Sequence, residues 1–357
     1  MNTELLTYSI FIHPKDLKAL KQNVWRKRPV NAKLTTQNQS FKVDVLYRGE
    51  HIRNMQKKSY QLIFQKSFYG AKEIHLNAEY KDLSLIRNKL SLDFFQDIGV
   101  LSPGSSYVLL YLNGTFQGIY LQLESLDEHL LKKRGLPSGS IHYAVNDDAN
   151  FSLLTPELTV KEALDSGYSR KFGTTQDDDR LKELIYSINL ASEREFPEII
   201  EGILDVEKYL KWLVGVICTQ NFDGFIQNYA LYKNYETELF EISPWDYDGT
   251  WGKDLNGGDT AFDYISIDGY NTLTARLLQF EKYRKCYKEQ MEEVLSTKFT
   301  PTYLEPVVQD LFTLLEPHRD KDPFIHASKL DFEEEAHQII TFIQDRNHFL
   351  THQLKDF

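Results

Sequence analysis

Residues 219–234 read TQNFDGFIQNYALYKN, and residues 235–252 continue as YETELFEISPWDYDGTWG. Within them, NYALYKN and ELFEISPWDYD are strand-like runs joined by a polar turn near Tyr235, which predicts a short antiparallel hairpin. A hairpin returns the chain to the edge from which it started. Asp223 and Asn228, five residues apart and leading into the first strand, therefore share an edge with Pro244-Trp245-Asp246-Tyr247-Asp248-Gly249, which leaves the second. Upstream, DVEKYLKWLVGVICTQ (205–220) predicts a helix that opens on an Asp cap and delivers the chain to Asp223.

Working outward, the two parts of the chain differ in character. The first 125 residues favour strands: FKVDVLYRG (41–49) and KSYQLIF (58–64) alternate, and SYVLLYLNGTFQGIYLQLES (106–125) has β-rich arms around Asn113-Gly114, a strong hairpin signal. One helix interrupts them, expected to start near Asp82 and to run through SLIRNKLSLDFFQDI (84–98), with Leu85, Leu90 and Phe94 at helical intervals. From Asp205 onward helices dominate, with amphipathic stretches around 272–297, 302–316 and 331–354. The expected class is α+β: a strand-rich N-lobe over 1–125 and a mainly helical C-lobe over 126–357 with an inserted β-hairpin. This is the layout of an atypical protein-kinase-like two-lobed fold, and by itself it is an analogy of architecture.

The chemistry comes from the loops at the hairpin base. Phosphoryl transfer needs a carboxylate to orient and deprotonate the attacking hydroxyl, and oxygen ligands for Mg²⁺ on the phosphates. Asp223 and Asn228 have the separation of the catalytic Asp and metal-binding Asn in the kinase catalytic loop, and Asp246 follows the second strand where kinases carry the Asp of D-F-G. Singly, Asp223-Gly224 is a turn, Asn228 a strand-end cap, and Asp246 or Asp248 a solvated carboxylate. Their order and spacing together favour the catalytic reading. Two carboxylates could instead serve glycoside hydrolysis, but that chemistry leaves the Asn unexplained, and the sequence has no independent sugar-binding cue.

YRGEHIRNMQKKSYQLIF (47–64) supplies candidates for phosphate. Arg48, Arg53, Lys57 and Lys58 lie around strand ends, and alternation lets only one of Lys57 and Lys58 look inward; Lys58 is the choice, against the alternative of a solvated edge. Arg87 reaches a phosphate or a carboxylate, or stays on the surface. Asn113-Gly114 with Gly118 is a hairpin turn rather than a phosphate loop, since no helix follows. Glu124, where the lobes meet in sequence, contacts adenine or ribose or only marks the linker; Tyr143 and Trp245 pack on adenine or in the core.

Composition narrows the class. In 357 residues, 41% are hydrophobic and 26% charged, enough for a large core, and no apolar run approaches the roughly 18 residues of a membrane span. Cys218 and Cys286 are too few for a disulfide framework and are expected as core thiols. The N-terminal stretch lacks a basic region before an apolar one, so synthesis and folding in a cytoplasm are expected. Net charge is −11, yet residues 1–60 hold twelve Lys or Arg against four Asp or Glu, leaving −19 on the remainder. That asymmetry argues against general nucleic-acid binding and predicts that acceptor serines flanked by Lys or Arg are preferred.

In order along the chain, YRGEHIR, KKSYQLIF, LNAEYKDLSLIRNKLSLDFF (76–95), LNGTFQGIYLQLESLDE (112–128), TQNFDGFIQNYALYKN, SPWDYDGTWG (243–252) and GYNTLTARLL (269–278) resemble the successive motifs of the CotH family of bacterial spore coat proteins. The resemblance implies an ATP- and Mg²⁺- or Mn²⁺-dependent kinase that phosphorylates basic, serine-rich spore coat proteins. It implies an enzyme of the sporulating mother-cell cytoplasm, and then of the spore coat, without nucleic-acid or membrane partners. By the same resemblance Asp223 is catalytic, Asp246 binds metal with Asn228 and Asp248 in support, and Lys58 is the family lysine. Ordinary kinase signatures G-x-G-x-x-G-x-V, H-R-D, D-F-G and A-P-E are absent, so activation-loop control is not expected. An inactive structural coat protein and a transferase of AMP remain as alternatives.

Overall fold

The computed structural model describes residues 4–357; residues 1–3, which open the N-terminal stretch, lie outside them. The chain forms two compact units. One comprises the chain up to Lys89 with Pro103–Ser125 and Val307–His337; the other comprises Leu90–Ser102, Leu126–Pro306 and Gln338–Phe357. A single boundary after residue 125 is therefore too simple. The C-terminal segment around 307–337 joins the first unit because Asp322 and Glu335 bury their carboxylates against Lys57 and Arg87 there. Residues 90–102 join the second unit, where Phe94 and Phe95 meet Trp251 and Tyr247 edge-on at 5.8 and 5.0 Å.

In the first unit, β1 (Leu6–Ile12), α1 (Pro14–Gln22), β2 (Val30–Thr36), β3 (Gln39–Arg48), β4 (Ser59–Phe68), β5 (Ala71–Asn77), the start of α2 (Arg87–Asp97), β6 (Ser105–Leu112) and β7 (Thr115–Glu124) follow in order. The strands close into a barrel, β1-β2-β3-β4-β5-β7-β6, with β1 parallel to β6. Closure removes the open edges that a sheet otherwise exposes. Alternation supplies the core: Val43, Val45 and Tyr47 of β3 pair with Phe64, Leu62 and Tyr60 of β4, and all six are buried. Asn113 and Gly114 both adopt left-handed φ, 48° and 83°, as a two-residue hairpin turn demands.

The helix expected from Asp82 begins instead at Arg87. Asp82 still works as a local acceptor, taking Ser84 N at 3.0 Å and Arg87 N at 2.9 Å, but its turn is completed by Leu85 at φ 63° before the helix starts.

The second unit holds α3 (Glu128–Lys133), β8 (Gly139–Ala144), β9 (Tyr168–Phe172), α4 (Thr175–Leu190), α5 (Phe196–Glu201), α6 (Val206–Thr219), β10 (Tyr229–Asn234), β11 (Phe240–Pro244), α7 (Thr272–Leu277) and α8 (Glu281–Thr297). The beginning of α9 (Pro301–Arg319) and the end of α10 (Lys329–Asp356) complete it. The expected hairpin is β10–β11, Tyr229 opposite Pro244, but it belongs to a four-stranded sheet, β11-β10-β8-β9. The short runs GSIHYA and YSRKF that form β8 and β9 carry no clean alternation; β8 pairs with β10 and β9 with β8. The class is thus α+β, with a strand-rich unit and a mainly helical one. Among the described residues no helix is long and apolar enough to cross a membrane.

Helix α6 is the axis of the second unit. Asp205 Oδ1 accepts Lys208 N at 3.1 Å to cap it, and Leu210, Trp212, Leu213, Val214, Val216 and Ile217 bury it nearly all round. It stops at Gln220, whose φ of 57° turns the chain toward Asp223. The carbonyl of Ile217, near the helix C-terminus, is satisfied by the buried Arg346, with Nε at 3.1 Å and Nη2 at 2.8 Å. Burial pushes Arg346 down to about 10. Of the expected core thiols, Cys218 is buried in α6 and Cys286 is half-buried; both are free.

Candidate functional site

The loops at the base of β10–β11 interlock through backbone and side-chain contacts. Trp245 N donates to Asn228 O at 2.9 Å, and Asn228 Nδ2 donates to Asp246 O at 3.2 Å. Both Asn228 and Asp246 adopt left-handed φ, 57° and 60°, which costs an L-residue free energy and is retained where the surroundings enforce it. Asp223 opens a 3₁₀ turn, Asp223–Phe225; its carbonyl accepts Ile226 N and Gln227 N, and its Oδ2 accepts Gln227 Nε2 at 3.3 Å. A Cβ on Gly224 would stand 2.8 Å from the Tyr247 hydroxyl, so the D-G-F turn and the D-Y-D loop can approach only with glycine there. The two loops are thus held as one piece.

The D-Y-D-G-T-W loop is fixed from behind. Asp248 Oδ1 accepts Gly249 N at 2.9 Å, Thr250 Oγ1 donates to Tyr247 O at 2.9 Å, and Trp251 Nε1 donates to Ser91 Oγ at 2.9 Å. Asp223, Asn228, Asp246 and Asp248 remain half-buried, open enough to meet a ligand and packed enough to be oriented.

Among the described residues, no group of three or more His, Cys, Asp or Glu is arranged to hold a metal ion. The Asn228, Asp246 and Asp248 set offers two carboxylates and, with Nδ2 of Asn228 engaged, an amide oxygen. All-oxygen donors in that number fit Mg²⁺, which is usually bound by one or two carboxylates with phosphates and water completing its shell. Tyr143 and Trp245 lie together, but as an edge-on pair with centroids 5.1 Å apart and rings at 82°. The Tyr143 hydroxyl accepts from Leu126 N at 2.9 Å and donates to Leu126 O.

In the first unit, the lysine pair divides differently from the sequence reading. Lys57, not Lys58, is interior: it is 1% exposed, and its Nζ donates to Ile119 O at 2.7 Å and Asp322 Oδ2 at 2.8 Å. Lys58 bends back to the carbonyls of Arg53, at 2.7 Å, and Met55, around the 3₁₀ turn His51–Asn54. Alternation fails as a guide because both lysines precede the start of β4 at Ser59.

Arg87 is buried, which removes the surface alternative. It bridges Asp82 at 2.6 Å and Glu335 at 2.7 Å. Arg48 donates to Asn77 Oδ1, and Glu124 Oε2 accepts Gly104 N at 2.9 Å. Asp322 escaped the sequence reading, although Gly118 signalled it. An isolated glycine in an apolar strand marks a close approach, and a Cβ there would lie 2.0 Å from Asp322 Oδ2. Within the acidic stretches Asp177-Asp178-Asp179 and Glu333-Glu334-Glu335, Asp177 is buried, capping α4 through Thr174 N at 2.8 Å, and Glu335 is buried against Arg87.

Residues 45–350 match a family model described as CotH kinase protein. The chain belongs to the CotH family. It is 46% identical over 355 residues to the inner spore coat protein H of Bacillus subtilis (strain 168), covering 99% of this chain and 98% of that protein. It is 30% identical over 302 residues to the inner spore coat protein H-like protein of the same organism, covering 83% and 85%. Among solved structures, that of the Helicobacter pylori proinflammatory kinase CtkA aligns over 97% of this chain and 94% of its own, with TM-score 0.39 and 10% identity. The CotH match spans both the barrel residues Lys57 and Arg87 and the hairpin loops of the second unit.

Proposed function

We propose that this CotH protein is an ATP-dependent protein serine kinase that phosphorylates basic, serine-rich proteins of the spore coat and acts in coat assembly. The observation that carries the reading is the interlocked base of β10–β11, where Asp223, Asn228 and Asp246 are held by Gly224 against Tyr247 and by Asn228 Nδ2 on Asp246 O. The spore coat relatives support the coat as the biological setting, and synthesis in the mother-cell cytoplasm before it is part of the proposal. The acceptor is a serine hydroxyl whose proton passes to Asp223 as its Oγ bonds to the γ-phosphorus of ATP. The bond from that phosphorus to the β,γ-bridging oxygen breaks, and ADP leaves with the electron pair. Asn228, Asp246 and Asp248 would hold Mg²⁺ or Mn²⁺, which when bound neutralises phosphate charge. Tyr143 and Trp245 are assigned to the adenine; Lys58, the family lysine, and Arg48, Arg87 and Glu124, candidates from the sequence reading, are assigned to the nucleotide.

The test supplies ATP labelled at either the α or the γ phosphate to purified protein with a serine-rich coat protein. Transfer of γ label alone is expected; transfer of α label would replace the reading with AMP transfer, and no transfer of either with a structural role. A second expectation concerns Asp246→Asn. Removing one carboxylate from the metal set should raise the Mg²⁺ concentration for half-maximal activity by about tenfold or more and weaken metal-dependent ATP binding. Titration of activity with Mg²⁺ and Mn²⁺ checks it, and an unchanged curve at full activity would remove Asp246 from the metal set.

A further inference from the structure

A groove of about 860 Å³ runs beside the Asp223 turn, within the second unit. Its floor includes Phe222 and Ile226, the residues that bracket that turn. One wall is Asp268–Asn271 with the start of α7, and the other is the loop from Asp147 to Leu158. Both walls are tied to the hairpin base. On the first, Asn271 Nδ2 donates to Phe225 O at 3.2 Å, the Tyr270 ring lies 5.3 Å from that of Phe222, and Gly269 sits so near Phe225 that a Cβ would be 3.0 Å from its ring. On the second, the buried Phe151 stacks on Tyr229 at 5.2 Å and 8°, directly after Asn228 in sequence.

The lining combines large apolar side chains and two aspartates with neutral Asn, Ser, Thr and Gln side chains. Leu154 and Val160 bridge to make a small hairpin with Leu158 near its tip, and Leu158 is 77% exposed, Tyr270 58% and Phe222 37%. Clustered exposure of large apolar side chains is uncommon unless something covers them. Asp147 and Asp268 are exposed on opposite walls, and among the described residues no lysine or arginine lines the groove. A groove that starts at the residues flanking Asp223, carries large apolar side chains and is negative at Asp147 and Asp268 complements an extended polypeptide that carries both apolar and cationic side chains.

We infer that this groove is the acceptor-peptide site and that it reads a bulky apolar residue beside the phosphorylated serine together with a nearby Lys or Arg. The inference rests on the kinase reading and adds to it the apolar determinant and the residues that recognise both. Leu158 and Tyr270 receive the apolar side chain; Asp147 and Asp268 receive the cation.

The experiment uses the full chain, ATP and four serine peptides that combine Leu or Gly next to the serine with Lys or Glu farther along. Wild type should prefer the Leu and Lys peptide. Leu158→Glu, at an exposed tip, should raise KM for the Leu peptide about tenfold while kcat stays within about twofold and the Gly peptide is little affected, since one apolar contact is worth about 10–200-fold in discrimination. Charge reversal at Asp147 and Asp268 to Lys should move the preference from the Lys to the Glu peptides. Wild-type transfer with KM values indifferent to peptide and variant would overturn the groove assignment and leave the kinase reading intact. Absence of γ-phosphoryl transfer to any peptide by wild type would overturn the kinase reading itself. A shift in sedimentation without a change in KM would assign the groove to a second copy of the chain and overturn the peptide inference.

Discussion

Asp223→Asn lowers kcat for serine phosphorylation by about 10²–10⁴-fold, the range spanned by general-base contributions, while ATP affinity stays within about twofold. The size follows from what the substitution removes. Asn keeps the shape, the 3₁₀ turn and an oxygen facing Gln227, whose Nε2 now donates to Asp223 Oδ2 at 3.3 Å. The backbone acceptors that hold the turn, Asp223 O to Ile226 N and Gln227 N, are also untouched. What disappears is a basic oxygen able to take the hydroxyl proton. In the proposed role Asp223 acts on the acceptor, so nucleotide binding reports the integrity of the fold while single-turnover transfer reports the loss. A folded Asp223→Asn variant with wild-type turnover would remove Asp223 from the reaction.

The legible and illegible parts of this chain divide by distance along it. Asp223, Asn228 and Asp246 could be grouped because a hairpin is a local object: a polar turn between two strand-like runs fixes the return of the chain, and the loops at its base follow. The cap at Asp205 and the turn at Asn113-Gly114 were readable for the same reason, since each depends on a few neighbouring residues. Strands β8 and β9 were not, because β8 is stabilised by pairing with β10, which lies far along the chain, and β9 by pairing in turn with β8. The barrel likewise closes through β1 on β6, a pairing of residues about a hundred positions apart that no local pattern encodes. The buried charges are the extreme case. Arg346 satisfies the carbonyl of Ile217 from 129 residues away, and Asp322 reaches Lys57 across 265. An isolated Arg or Asp on an otherwise polar stretch gives no sign of such a partner; only Gly118, the small residue that admits Asp322, left a trace.

Lys57→Ala should therefore cost about 3–5 kcal/mol, whereas Lys58→Ala should cost about 1 kcal/mol. Burial pulls the Lys57 ammonium below its ordinary pKa, and the Asp322 carboxylate, with Glu79 behind it, opposes that pull. With Lys57 gone, Asp322 keeps its bonds to Ile119 N at 2.8 Å and Phe324 N at 3.0 Å but loses its cation in a site where its side chain is 0% exposed. Leaving one charge of a buried pair uncompensated costs more than the pair itself contributes, so neutralising the partner should restore much of the loss. Asp322→Asn in the Lys57→Ala background is expected to recover about 1–3 kcal/mol, a coupling within the range seen for residues in direct contact. Lys58 differs because its ammonium bonds carbonyls around a short turn, where water can replace it. Urea unfolding midpoints for the two single variants and the double variant measure these differences. Equal midpoints for Lys57→Ala and wild type would show that the buried pair contributes no stability. The same series separates structure from chemistry. Since Lys58→Ala should leave the fold intact, a loss of turnover in that variant isolates a phosphate contact by Lys58. A loss in Lys57→Ala has that meaning only if it persists once Asp322→Asn has restored the fold.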